Sequence, residues 1–236
     1  MTNDDFIAAA RAFEVVLTPA QCDAFEAYYR ELVAWNARVN LTAITARDEV
    51  WLKHFLDSLS VALWVRAARR VLDVGSGAGF PGVPLKIALP HLNVTLLEAT
   101  GKKVAFLQHL VAQLALRDIS ILHARAEDAA HDTAQRAQYD VVVARAVAPL
   151  VTLLEYALPF VRVGGLFIAQ KGVAVDEEIR AATYACEVLG GRWRDIVSVQ
   201  LPGLEQRHLV VVEQVAATPA RFPRRAGVPE RKPLMR

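Results

Sequence analysis

Between positions 70 and 214 short apolar runs rich in Val, Ile and Leu alternate with stretches whose apolar residues recur every three or four positions. A continuous apolar run marks a strand covered on both faces, whereas the longer spacing marks a helix with one buried stripe. The pattern predicts strands over 70–74, 93–98, 119–123, 139–144 and 165–170, separated by helices over 81–89, 101–116, 125–130 and 149–161. That order specifies an α/β fold with helices on both faces of a mostly parallel sheet. A helix over 175–189 and strands over 193–200 and 207–214 bring the sheet to seven strands. Only Leu201 to Gln206 join the last two, too short a link for a parallel crossover, so they are predicted to form an antiparallel hairpin.

Residues 4–66 read as helical. Phe6, Ile7, Ala10 and Phe13 share one face, and Thr18 before Pro19 has the chemistry of an N-cap followed by proline at the first helical position. The second helix runs to about Arg38, with Phe25, Tyr28, Tyr29, Leu32, Val33 and Trp35 as its stripe. After an extended interruption at Asn40-Leu41-Thr42-Ala43-Ile44, Thr45 with Asp48 predicts a capping box for a third helix carrying Trp51, His54, Phe55, Leu59 and Leu63. The expected organisation is a helical cap over 1–66, an α/β domain over 67–216 and a tail over 217–236.

Composition narrows the class. With 236 residues, 54% apolar and 22% charged, the chain has enough material for one large core, and its 12 Gly and 11 Pro are too few for a collagenous or low-complexity protein. Cys22 and Cys186 lie far apart in predicted helices and are expected to be small buried hydrophobes, not a disulfide framework or a metal or redox site. The six histidines show no HExxH or clustered spacing, so no metal site is expected. The opening MTNDDF is acidic where a secretory leader carries positive charge, and no apolar run reaches the roughly 18 residues of a membrane span. A cytoplasmic protein is expected, with no membrane partner.

The net charge of +2 is unevenly placed. Arg221, Arg224, Arg225, Arg231, Lys232 and Arg236 face the single acid Glu230 in the last twenty residues, on an otherwise slightly acidic chain. Four prolines and Gly227 punctuate the same stretch, which predicts an extended tail with few apolar anchors. Such a tail suits either a polyanionic partner or a solubilising terminus, and in either role it is expected to leave small-ligand binding untouched.

The densest chemistry lies in Asp73-Val74-Gly75-Ser76-Gly77-Ala78-Gly79-Phe80-Pro81-Gly82, a strand running through a glycine-rich turn into a helix. Phe80 stands where a dinucleotide fingerprint needs its third glycine, no Gly-Lys-Ser/Thr follows, and Val74 spoils a GxSxG elbow at Ser76. The DxGxGxG form points to S-adenosylmethionine, with Gly75 and Gly77 among the expected cofactor contacts. Glu98, ending the second strand, is a candidate for both ribose hydroxyls, because a carboxylate accepts two hydrogen bonds at once. Ala126 and Glu127 stand where an adenine would lie, although Arg125-Ala126-Glu127-Asp128 also reads as an ordinary acidic helix start. Arg145 ends the fourth strand and Lys171 the fifth, placing two cations at the carboxyl edge where open α/β sheets bind ligands; either also suits a structural ion pair. There is no Asn/Asp-Pro-Pro-aromatic run of an amino-group methylase and no Cys nearby for attack on a pyrimidine ring.

Together, Asn40-Leu41-Thr42, His54-Phe55-Leu56-Asp57-Ser58, the Asp73–Gly82 loop, Arg145 and Arg207-His208-Leu209-Val210 resemble the glucose-inhibited division protein B family of ribosomal RNA small subunit methyltransferases, over about residues 15–215. The stretch Phe222 to Gly227 with Lys232-Pro233-Leu234 is similar to the basic ending of some members. The resemblance implies a class I methyltransferase (Rossmann-like) fold, S-adenosylmethionine as donor, and N7 of the guanine at position 527 of 16S rRNA as acceptor, with 16S rRNA or the small ribosomal subunit as partner of a monomer. By position it implies cofactor contacts at Gly75, Phe80, Ala126 with Glu127, and Arg145. Many members carry Leu at the Phe80 position and Asp at the Glu98 position, which preserves the apolar contact and the carboxylate. Guanine N7 has an exposed lone pair and no proton, so Arg145 and Lys171 are expected to position substrate without acid–base work. The competing readings are a class I methyltransferase acting on another RNA or a small molecule, and a donor-binding module without turnover.

Overall fold

In the computed structural model, which describes residues 2–235, β1 (Arg70–Val74), β2 (Asn93–Glu98), β3 (Ile119–His123), β4 (Tyr139–Arg145), β5 (Val161–Lys171), β6 (Gly191–Val199) and β7 (Arg207–Gln214) form one sheet. Their order is β3-β2-β1-β4-β5-β7-β6, and β7 runs antiparallel to both β5 and β6 while the other pairs are parallel. Arg236 of the basic tail lies outside the described residues.

Alternation along the strands sorts the core. Val71, Val94, Leu96, Val143 and Ile168 enter one buried cluster, and Leu72, Val74, Leu97, Val142 and Phe167 enter another. Against the first cluster lie α6 (Gly82–Ala88), α7 (Gly101–Gln113) and the N-terminal helices; against the second lie α8 (Ala126–Ala129), α9 (Leu150–Ala157), α10 (Val175–Val188) and part of the tail. Because β1 sits between β2 and β4, the connections leaving β1 and β4 diverge, and a crevice opens at their carboxyl ends.

The N-terminal part opens with α1 (Asn3–Ala10), extended by a 3₁₀ turn over Arg11–Phe13, and α2 (Pro19–Asn36). Thr18 caps α2 as expected: its hydroxyl accepts from the Gln21 N–H, and the Gln21 side chain accepts from the Thr18 N–H at 2.8 Å. The third helix departs from expectation. It begins at Arg47 with Ala46 at the cap position and no side-chain cap bond, so the Thr45–Asp48 capping box does not form. Nor is it continuous, being α3 (Arg47–Val50), a π turn over Trp51–Leu56, α4 (Asp57–Leu59) and α5 (Ala62–Val65). Ser58 and Ser60 hydroxyls donate back to the carbonyls of His54 and Asp57, a competition with the backbone ladder that bends helices.

The tail corrects a second expectation. It is not an unanchored extension, since Phe222 is buried, Arg136 donates to the carbonyls of Thr218 and Phe222, and Val228–Arg231 forms a helical turn, α11. Arg224 grips the carboxylate of Glu155 on α9 through Nε and Nη2 at 2.7–3.2 Å, and the Arg224 N–H adds a third donor. Glu155 is 1% exposed. Arg224→Ala leaves that carboxylate buried without its cation and is expected to cost about 3 kcal/mol in urea unfolding, whereas replacing both partners with Leu should cost less than the single change.

Candidate functional site

The glycine loop leaves β1 under tension between two neighbours. Gly75 has φ +68°, and a Cβ there would lie 2.7 Å from Cγ2 of Val147, so both dihedral and space demand glycine. The Gly75 and Ser76 N–H groups donate to the Leu97 carbonyl at 2.9 and 3.0 Å, and the Gly77 N–H donates to Glu98 Oε2 at 2.9 Å. From beneath, Asp73 Oδ2 accepts from the Gly82 N–H at 2.8 Å at the start of α6. Burial pushes the Asp73 carboxyl up to about 7, against the opposing pull of the Gly82 N–H and Arg145, and its Oδ1 has no partner.

Two cavities flank this loop. The first, about 290 Å³, is lined by Gly75, Glu98, Ala126, Glu127, Val147 and Tyr156, with Lys103 and Arg125. It brings together residues from the ends of β1 and β2 and from α8, as the sequence reading expected of a nucleoside site. Glu98 is 6% exposed; each of its oxygens accepts one backbone N–H, from Gly77 and from Thr100, and keeps a second lone pair for a ligand. Glu127 accepts from the Gly227 N–H at 2.8 Å through Oε1, which no sequence signal foretold. Tyr156 is pushed up to about 12 by burial and by the carboxylates of Glu127, Glu230 and Glu155.

The second cavity, about 460 Å³, holds Gly77, Phe80, Arg145 and Lys171 together with Thr42, Lys53, His54, Asp57 and Arg207. Gly75, Lys103 and Ala146 line both cavities, so the two meet at one rim. The expected cofactor residues Gly77 and Phe80 therefore stand on the far side of that rim from Glu98 and Glu127.

Arg145 is the centre of the second cavity. Its Nη1 donates to Asp57 Oδ2 at 2.8 Å and to the Lys53 carbonyl at 3.1 Å, and its guanidinium lies 4.9 Å from the centroid of Phe80. Phe80 in turn stacks on His54, at 4.5 Å, and on Tyr28, at 5.3 Å. Burial and the adjacent Arg145 push His54 down to about 3, leaving a neutral imidazole that shares a 2.9 Å hydrogen bond with the Thr42 hydroxyl. Lys171 is committed as well: Nζ donates to Glu178 Oε2 at 2.7 Å and to the Ala148 carbonyl at 2.9 Å. Both cations are thus ion-paired while lining the cavity.

Lys103, Val147 and Tyr156 escaped the sequence reading. Lys103 follows Glu98 closely and falls in the first turn of α7, a placement that a strand-end search extended by one helical turn would have found. Val147 carries no chemical signal; only the approach to Gly75 reveals it.

Residues 21–210 match the family model described as rRNA small subunit methyltransferase G. The chain belongs to that family. The rRNA small subunit methyltransferase G of Roseiflexus castenholzii is 51% identical, covering 98% of this chain and all of that protein, and the Bacillus cytotoxicus protein of the same name is 45% identical over 93% of each. Among solved structures, an O-methyltransferase from Bacillus cereus in complex with SAH superposes with a TM-score of 0.58 at 15% identity, covering 90% of this chain and 100% of that one. A putative O-methyltransferase from Klebsiella pneumoniae gives 0.57 at 15% identity, covering 80% of this chain and 90% of that one. At that identity the likeness is one of fold. As a member of the rRNA small subunit methyltransferase G family, this chain has Glu at 98 and Phe at 80, the latter stacked on His54 and on Tyr28.

Two measurements test the site. Glu98→Ala removes charge-assisted acceptors worth roughly 1.5–3 kcal/mol each, so S-adenosylmethionine affinity in calorimetry should fall about ten- to a hundredfold; unchanged affinity would remove Glu98 from the site. His54 stays neutral in the folded chain while an unfolded chain protonates it below about 6.5, so its contribution is complete above that pH and is lost as pH falls toward about 3. His54→Gln should accordingly flatten the fall of stability between pH 6.5 and 4. Asp73 works in the opposite sense, its stabilisation being lost as pH rises from 3.8 through about 7, and it is common to both proteins.

Proposed function

We propose that the chain transfers a methyl group from S-adenosylmethionine to N7 of a guanine in 16S rRNA of the small ribosomal subunit, acting as a cytoplasmic monomer. The observation that carries this reading is the meeting of the two cavities at Gly75 and Ala146. One side offers carboxylates to a nucleoside, and the other offers aromatic and cationic groups to an RNA base.

The first cavity suits the donor on its own chemistry. Glu98 retains acceptor capacity for ribose hydroxyls, Val147 and Tyr156 supply walls for a flat ring, and Glu127 Oε2 remains available to an exocyclic amine after Oε1 is taken by Gly227. Glycine at 75 lets the backbone approach the ligand closely. When bound, the donor supplies an electrophilic methyl on a cationic sulfur.

The residues of the second cavity then have three tasks. Phe80, packed against His54, Tyr28 and Arg145, gives the second cavity an apolar lining and holds the Arg145 guanidinium in place. Arg145 and Lys171 act as positioning residues. Their charges are balanced by Asp57 and Glu178, so they orient O6 and backbone oxygens through remaining N–H groups without placing a bare cation against an imidazole ring that itself becomes positive. Arg207 and Lys103, for which no ion pair is formed among the described residues, are suited to phosphate. Guanine N7 forms the new bond with its own lone pair and sheds no proton. The rate therefore depends on in-line placement in a dry pocket.

Tritiated methyl transfer to isolated small subunits lacking the modification, followed by mapping of the labelled nucleotide, tests the assignment; labelling of a base atom other than guanine N7 would refute it. At saturating donor and RNA, the rate should be flat between about pH 6.5 and 9 in wild type and in Arg145 and Lys171 variants, because no group that lines the second cavity is required to give or take a proton. Asp73 lines neither cavity, so its titration should register in stability instead.

A further inference from the structure

The C-terminal strap touches a residue that lines the first cavity. From Thr218 onward it crosses the face of the sheet covered by α8 and α9, where Phe222 is buried in the core cluster and polar contacts hold the backbone on either side of it. Arg136 holds the Thr218, Pro219 and Phe222 carbonyls, His131 Nε2 lies 2.9 Å from the Pro223 carbonyl, and Arg224 forks onto Glu155. The strap then turns at Gly227, whose N–H meets Glu127 Oε1 at 2.8 Å. Glu127 is 5% exposed and lines the first cavity beside Ala126 and Tyr156. Gly227 has φ +74°, and a Cβ there would find only the Arg231 guanidinium, at 3.8–3.9 Å. Its requirement for glycine is thus one of backbone conformation and not of space, which makes the turn separable from packing.

We propose that Gly227 is a positioning residue for the donor: by occupying one oxygen of Glu127 it fixes the carboxylate rotamer, so that the other oxygen faces the amine of the donor's purine. A glutamate side chain in a cavity has three torsions to lose on binding a ligand, and an N–H already seated on Oε1 removes that loss beforehand. This inference rests on the donor reading of the first cavity. It also means that the tail, expected from its sequence to be indifferent to small ligands, belongs to the cofactor site.

The test uses the full-length chain with Gly227→Val and Gly227→Asn. A β-branched residue resists the left-handed conformation, whereas Asn adopts it, so only the first variant should lift the N–H from Glu127. Calorimetry with S-adenosylhomocysteine should show about a tenfold loss for Gly227→Val, the scale of one charge-assisted hydrogen bond, and near wild-type affinity for Gly227→Asn. With S-inosylhomocysteine, which has a carbonyl in place of the purine amine, the ratio between wild type and Gly227→Val should fall to within twofold. Equal affinity of wild type and Gly227→Val for S-adenosylhomocysteine, with melting curves showing both folded, would overturn the proposal. So would equal losses for the two ligands, which would reduce the strap to a scaffold. Failure of the wild-type chain to take up either ligand would instead overturn the donor reading itself.

Discussion

The contact on which the site depends is the ion pair between Arg145 and Asp57. Its side chains are 13% and 9% exposed, so each charge relies on the other more than on water. The pair joins the carboxyl end of β4 to the interrupted helix of the N-terminal part, and the same guanidinium lies against Phe80 and takes the Lys53 carbonyl. Removing either partner would strand a buried charge, and three structural elements would lose their common reference. Within the π turn over Trp51–Leu56 the Lys53 carbonyl accepts from Arg145 Nη1 at 3.1 Å, while the neighbouring His54 carbonyl takes the Asp57 N–H and the Ser58 hydroxyl.

Charge in the crevice is allocated by pairing. Arg145 and Lys171 stand on the acceptor side with their counterions, Asp57 and Glu178, already in place. His54 is held neutral by burial and by Arg145. A site that produces a cationic purine gains from this arrangement, since fixed donors orient the base without net repulsion toward the product. On the nucleoside side the order is reversed: Glu98 and Glu127 are carboxylates restrained by backbone N–H groups, which cost no net charge and leave acceptors free.

The fold was legible wherever periodicity decided it. Each strand appears within a few residues of its predicted span; the central ones are apolar almost throughout because both their faces are covered, and the Leu201–Gln206 link was too short for anything but a hairpin. Gly75, Glu98, Ala126 and Glu127 line one cavity because a parallel sheet gathers strand ends at a single edge, while Gly77, Phe80 and Arg145, expected beside them, line the neighbouring one. The capping box expected at Thr45 does not form, because the helix starts one residue later, at Arg47 with Ala46 at the cap position, and no local pattern marks that shift. The docking of the tail was equally hidden. Its prolines and arginines describe an extended basic peptide, and only the buried Glu155, far away on α9, turns one of those arginines into an anchor.

That misreading has a physical origin that extends beyond the tail. Net charge in a segment predicts a partner of opposite sign, but the partner may be a single buried carboxylate of the same chain, which a charge count assigns to the body and averages away. Arg224 and Glu155 show how strong the local term is: Nε to Oε1 at 2.9 Å and Nη2 to Oε2 at 2.7 Å match guanidinium to carboxylate fork to fork. Once Arg224 is anchored, the chain three residues later is within reach of Glu127, and a glycine there is free to turn its N–H inward. The basic residues beyond the anchor, Arg225, Arg231 and Lys232, are then exposed on a docked strap that is tied through Gly227 to Glu127, a residue lining the first cavity.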